Sequence, residues 1–156
     1  MPGEPELALG AIATGEITVR EGGGFEVSAQ EFAALAQRER LELERREHLY
    51  RRGLAPLDLT GKTAVLVDDG LATGATMLAA IRAARRAGAA AVVAAAPVAS
   101  HEAAARIRGE CDALVILEIP PSLYAVGQWY EDFTQVEDAE VCSLLQRASA
   151  QRSLWA

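Results

Sequence analysis

The spacing of apolar residues changes several times along this chain, and each change marks an element. Residues 7–19, LALGAIATGEITV, hold two short apolar runs split by Thr14 and Gly15, the pattern of two strands and a turn. Gly22, Gly23 and Gly24 mark a second turn. Next, Ser28 stands three residues before Glu31, which predicts a capping box, with Val27 and Phe32 placed as a hydrophobic staple. The helix that starts at Ala29 is predicted to run to Gly53, with Glu42–Arg46 and Glu47–Arg51 at i,i+4 spacing. Its apolar stripe is clean only at Phe32, Leu35 and Ala36, so the remainder reads as a mobile or solvent-bridging helix.

From residue 63 the apolar runs lengthen. TAVLV, Thr63 to Val67, predicts a strand whose last residues, Val65, Leu66 and Val67, are buried. ATMLAAIRAARRAG predicts a helix with Met77, Leu78, Ile81 and Ala84 on one face and Arg82, Arg85 and Arg86 on the other, stopped by Gly88. AAVVAAAPV is the next strand, SHEAAARIRG a short helix and DALVILEIP a further strand closed by Pro120 and Pro121. EDAEVCSLLQRA predicts a last helix with Val141, Leu144 and Leu145 facing inward. Strands alternating with helices imply an α/β fold, a doubly wound and mainly parallel sheet whose ligand sites lie beyond the carboxyl ends of its strands. No linker or repeat divides residues 1–156. We read them as a single domain: 1–53 a hairpin and charged helix, 54–136 the parallel core, 137–156 the C-terminal helix.

Composition narrows the function classes. The net charge of −7 argues against a surface built to neutralise nucleic-acid phosphates, but leaves room for a small anionic ligand. No apolar run reaches the roughly 18 residues of a membrane span, and no basic, apolar leader opens the chain. The expectation is a cytoplasmic protein with no nucleic-acid or membrane partner. Cys111 and Cys142 lack metal-ligand spacing and read as reduced, partly buried thiols.

The chemistry concentrates in VLVDDGLATGAT. Asp68 and Asp69 end an apolar strand, where two carboxylates can accept hydrogen bonds from the vicinal hydroxyls of a ribose. Gly70 permits close approach of the backbone. Ala72, Thr73, Gly74, Ala75 and Thr76 make a tight turn into a helix, where free N–H groups, hydroxyls and the helix dipole favour a phosphate. A ribose 5-phosphate fits that order. No lysine follows Gly74, so this is not a Walker loop, and it is not a G-x-G-x-x-G fingerprint. A capped turn, or direct metal binding by the aspartates, are the other readings of the same residues.

The string resembles the phosphoribosyl-pyrophosphate (PRPP) motif of the type I phosphoribosyltransferases. PGEPELALGAIA, DLTGKTAVLVDDGLATGATM and YAVGQWYEDFTQV further resemble a bacterial branch of that superfamily. The resemblance implies that Asp68 and Asp69 hold the ribose hydroxyls and are the catalytic pair, while Ala72, Thr73, Gly74, Ala75 and Thr76 wrap the 5-phosphate, with Gly70 and Leu71 completing the PRPP-binding stretch. It implies Mg²⁺ held mainly through PRPP, with no certain protein ligand, and transfer of the phosphoribosyl group to a nitrogenous base with release of pyrophosphate. Ala72 stands where transferases of 6-oxopurines carry an aspartate, which disfavours hypoxanthine and guanine. A PRPP-sensing domain without catalysis and an inactive fragment are the alternative readings.

The family pattern is incomplete here. An earlier strand and a pyrophosphate loop of the form Gly-x-Pro-Arg-Gly-Gly are expected and absent from the 156 residues. The expectation is therefore an N-terminally truncated domain: a misassigned start, a domain completed by a complementing N-terminal segment, or a decayed or repurposed one. The motif strand would then have a free apolar edge, which also raises a homo-oligomer. Arg45, Arg46, Tyr50, Arg51 and Arg52 occupy the place of the family's flexible loop and are candidates to reach pyrophosphate, or else form a solvated helix with ion pairs. Tyr124, Trp129 and Tyr130 are candidates for a hood over the base, or for packing of a cap onto the sheet. His101 begins a helix after Ser100, and His48 receives no role.

Overall fold

The computed structural model describes residues 10–13, 17–20, 28–52 and 58–152. Two strands, β1 (Gly10–Ala13) and β2 (Ile17–Arg20), pair antiparallel. Helix α1 (Ala29–Tyr50) follows, then β3 (Thr63–Val67), α2 (Ala75–Arg86), β4 (Ala91–Val98), α3 (His101–Arg108), β5 (Ala113–Glu118), a 3-10 turn (Val126–Trp129) and α4 (Asp138–Arg152). Strands β3, β4 and β5 form a parallel sheet in that order, and the β1–β2 hairpin lies beside α2. The expected α/β fold with a parallel sheet is what the chain adopts. The glycine triplet, Val27, Gly53 and the turn at Thr14 and Gly15 lie outside the described residues, as does the side chain of Phe32.

One core holds the sheet to its helices. Ala64 and Leu66 of β3, Val92, Ala94 and Ala96 of β4, and Leu114 and Ile116 of β5 face α2 and α3. Against them pack Met77, Leu78, Ile81 and Ala84 of α2, the predicted face, and Ala103, Ala104 and Ile107 of α3. Alanines on both sides bring helix and sheet close, while each large side chain sealed there, such as Ile81 or Ile107 at 1% and 0% exposure, contributes about 1.5–3 kcal/mol.

The opposite face of the sheet is open. Val65 is 61% exposed and Val67 75%, against the expectation that both are buried; on β5, Val115 and Leu117 are also exposed. The cause is the period of two along a strand: Ala64 and Leu66 take the covered side, so Val65 and Val67 take the other. Among the described residues α2 and α3 both cover the same side, and no strand pairs with the outer edge of β3. The inward face expected for α4 is also corrected. Leu144 and Leu145 are nearly half exposed, because α4 lies against α1 rather than on the sheet.

Helix ends follow local rules. At the start of α1 the Ser28 hydroxyl accepts from the Glu31 N–H and the Glu31 carboxylate accepts from the Ser28 N–H, the predicted capping box. Further along, Glu42 accepts from Arg45 and Arg46, which hold its carboxyl down at about 2. At the end of α2, Gly88 has φ +85°, and the Gly88 and Ala89 N–H groups donate back to Arg85 and Ala84 carbonyls, a Schellman closure. A side chain at this position is strained. Gly88→Ala is expected to lower stability by about 1–3 kcal/mol, read as a lower urea midpoint with unchanged slope.

Candidate functional site

The site is built where β3 stops and starts again. The Asp68 N–H donates to the Ala95 carbonyl, and after Asp69 and Gly70 the Leu71 N–H donates to Val98. Leu71 then pairs with Ala99, the same register in which Thr63 pairs with Ala91. Asp69 and Gly70 are thus an excursion inside an otherwise continuous ladder. Leu71, at 1% exposure, anchors its far side in the core. This geometry holds the two aspartates above the sheet end rather than letting them continue as strand.

Gly74 begins α2 with φ +75°, a left-handed conformation that favours glycine, and no side chain caps the helix there. The Thr73 hydroxyl accepts from the Ala75 N–H at 3.3 Å. Residues 68–77, with Val126 and Phe133, line a cleft of about 290 Å³. That size suits a small ligand, near the lower end of the roughly 300–1,000 Å³ of small-molecule sites. Ten consecutive residues therefore bring two carboxylates and the start of a helix to one cavity.

Electrostatics distinguish the two ends. Burial pushes the Asp68 carboxyl above its ordinary value, and the neighbouring Asp69 charge adds to the shift, although the Asp69 N–H donates to Asp68 Oδ1 at 3.0 Å and opposes it. The phenol of Tyr130 is raised too, first by burial and then by the charges of Asp69 and Asp68. Its hydroxyl donates to the Asp69 carbonyl at 2.7 Å, bracing the excursion from the opposite side.

The remaining candidate residues divide. Of Tyr124, Trp129 and Tyr130, Tyr130 bonds to the motif; Tyr124 is 84% exposed, and none of the three is in the cleft lining. The aromatic ring that does line it is Phe133, tilted against Tyr130 at 5.1 Å between centroids. Phe133 lies within the YAVGQWYEDF stretch but was not singled out by sequence. Val126 was missed as well. A Cβ at Gly70 would stand 2.5 Å from a Val126 methyl, so the space at Gly70 is filled by Val126 rather than held open for a ligand. Arg45 bonds Glu42 and Asp138, Arg46 bonds Glu42, and the Tyr50 hydroxyl donates to Asp138. Arg45 and Tyr50 thus tie α1 to α4, and none of Arg45, Arg46, Tyr50 and Arg51 is in the cleft lining. His101 is an exposed first residue of α3. Among the described residues no group of three or more His, Cys, Asp or Glu could hold a metal, and no helix is long and apolar enough to cross a membrane.

Comparison with known proteins puts this cleft in context. The family model described as "Phosphoribosyl transferase domain" matches residues 18–125, which include β3, the motif and β5. The chain belongs to this family. It is 42% identical over 151 residues, 95% of its length, to two Mycobacterium tuberculosis proteins, "Putative phosphoribosyl transferase MT0597" (strain CDC 1551 / Oshkosh) and "Putative phosphoribosyl transferase Rv0571c" (strain ATCC 25618 / H37Rv). The match covers 34% of each, so the chain spans about a third of the length of these curated relatives. The crystal structure of TT1426 from Thermus thermophilus superposes with a TM-score of 0.69 at 39% identity, over 92% of this chain and 69% of that one. Membership of the type I phosphoribosyltransferase superfamily, expected from the motif, is thereby shown.

The raised carboxyl of Asp68 has a measurable consequence in the ligand-free phosphoribosyltransferase domain. A folded-state value above the unfolded one means that the folded state binds the proton more tightly, so stability is lost as pH rises through the folded value. Asp68→Asn removes that loss while its amide oxygen still accepts from the Asp69 N–H. Thermal melts are expected to show the variant more stable than wild type at pH 7, the difference shrinking as pH falls below the ordinary carboxylate range.

Proposed function

We propose that the cleft binds PRPP or its ribose 5-phosphate product, with the ribose diol on Asp68 and Asp69 and the 5-phosphate in the turn of Ala72 to Thr76. The observation that carries this reading is that both groups line one cavity at the start of α2. Carboxylates accept from hydroxyls, and the first N–H groups of a helix favour an anion. Few other small ligands need both within one short segment.

The reaction proposed is displacement of pyrophosphate from C1 of the ribose by a nitrogen of a base. This chain would contribute position and charge rather than a covalent intermediate: Asp68 and Asp69 orient the ring, and the turn fixes its phosphate end. Phe133 and Val126 give the cleft an apolar wall that excludes water from part of it. Mg²⁺ characteristically takes one or two carboxylates together with substrate phosphates, and the two aspartates fit that donor set. When bound, it would neutralise charge building on the departing pyrophosphate. Ala72 offers the base no carboxylate, which supports an acceptor other than a 6-oxopurine.

The open face of the sheet supports a partner for it. Val65, Val67, Val115 and Leu117 are exposed together, and β3 has a free outer edge among the described residues. We propose that a strand and helix from a segment beyond these 156 residues complete this side, an occupant consistent with the greater length of the relatives. Co-expression with the region of the Thermus thermophilus protein that this chain does not match is expected to give a complex lost in Val67→Lys. A chain that stays monomeric beside that region, or that pairs with a second copy of itself instead, overturns the proposal.

Binding and chemistry are tested separately. Calorimetric titration with PRPP and Mg²⁺ is expected to show saturable binding, weakened about 10- to 100-fold in Asp69→Asn, the value of a hydrogen bond to a charged group. Pyrophosphate release with a panel of bases then separates a transferase from a PRPP sensor. Absence of PRPP binding sinks both.

A further inference from the structure

We infer that Ser100 is a positioning residue that turns the backbone N–H groups of the 72–74 turn toward the phosphate. The inference rests on the proposed reading of the cleft and adds a residue outside its lining. Three successive carbonyls, those of Leu71, Ala72 and Thr73, are tied to Ser100 at the start of α3 and to Arg106 in its last turn. The Leu71 carbonyl accepts from the Ser100 N–H at 2.9 Å. The Ala72 carbonyl accepts from the Ser100 hydroxyl at 2.8 Å. The Thr73 carbonyl accepts from Arg106 Nη1 at 3.2 Å.

Each of these carbonyls shares a peptide plane with the N–H of the next residue. The described peptides are all trans, so that N–H points the opposite way. Drawing the Leu71, Ala72 and Thr73 carbonyls toward Ser100 and Arg106 therefore aims the N–H groups of Ala72, Thr73 and Gly74 away from them, and all three of these residues line the cleft. The support beneath is stiff. Ala99, Ala103 and Ile107 are 0% exposed, and a Cβ on Gly74 would stand 3.2 Å from Ile107.

The Ser100 hydroxyl has one proton and two lone pairs, and it uses both functions. It accepts from the Ala103 N–H at 3.0 Å as the cap of α3, and donates to Ala72. One side chain thus starts a helix and orients the turn facing it. A helix cap alone needs only the acceptor; the bond to Ala72 needs the proton.

That difference gives the test. Ser100→Gly keeps most of the capping, since glycine costs only a few tenths of a kcal/mol at such a position, but has no hydroxyl. Ser100→Ala loses both functions and Ser100→Thr keeps both. In the ligand-free chain, the amide nitrogen resonance of Thr73, which shares its peptide with the Ala72 carbonyl, is expected to move in Ser100→Gly and Ser100→Ala and to return in Ser100→Thr. Affinity for ribose 5-phosphate is expected to fall about three- to tenfold in Ser100→Gly and Ser100→Ala and recover in Ser100→Thr. A Thr73 resonance unmoved in Ser100→Gly, or wild-type affinity in that variant, overturns the inference. A wild-type chain that does not respond to ribose 5-phosphate overturns the functional reading instead, and the Thr73 resonance still decides whether Ser100 orients the turn.

Discussion

Leu71 is the point on which the site depends. Its N–H and carbonyl are both used in bonding to the β4–α3 junction, and its side chain is sealed in the core. Because the ladder resumes there in the register it had before, the chain between Asp68 and Leu71 has fixed ends and little freedom. Carboxylates on a free loop would separate from each other and from the helix start. Here they are held against it by two strand bonds and by Tyr130, which braces the Asp69 carbonyl from another part of the chain.

The arrangement carries an electrostatic cost that a ligand would relieve. Two neighbouring acids stand at the end of an apolar strand, and burial disfavours the charge on Asp68. Hydroxyl groups of a sugar offer the hydrogen bonds that a buried carboxylate lacks. The helix start has the complementary deficit, N–H groups with no partner inside the helix. The proposed ligand, with a diol at one end and an anion at the other, would answer both.

The sheet shows a division of the same kind. Its covered face is rich in alanine and closely packed, while its other face presents valine and leucine to solvent. Four exposed aliphatic side chains on strands of one parallel sheet are an unusual surface, because parallel sheets are generally covered on both sides. The chain belongs to a family whose matched members here are longer.

Local features were legible in the sequence. The capping box of Ser28 and Glu31, the buried stripe of α2, its stop at Gly88 and the helix start at Gly74 each depend on residues within a few positions of one another, and spacing is enough to read them. So was the family, carried by one continuous string. What decided the shape of the site was not local. The Ser100 bond to Ala72 spans 28 residues, that of Arg106 to Thr73 spans 33, and that of Tyr130 to Asp69 spans 61. Val126 filling the space at Gly70, Phe133 lining the cleft in place of Trp129, and Arg45 and Arg46 held by Glu42 and Asp138 also depend on which elements meet. The amino-acid sequence by itself specified the motif and the family; the register of β3 against β4 and the packing of α3 decided how the motif's backbone is held, because a peptide's direction is set by what bonds to its carbonyl.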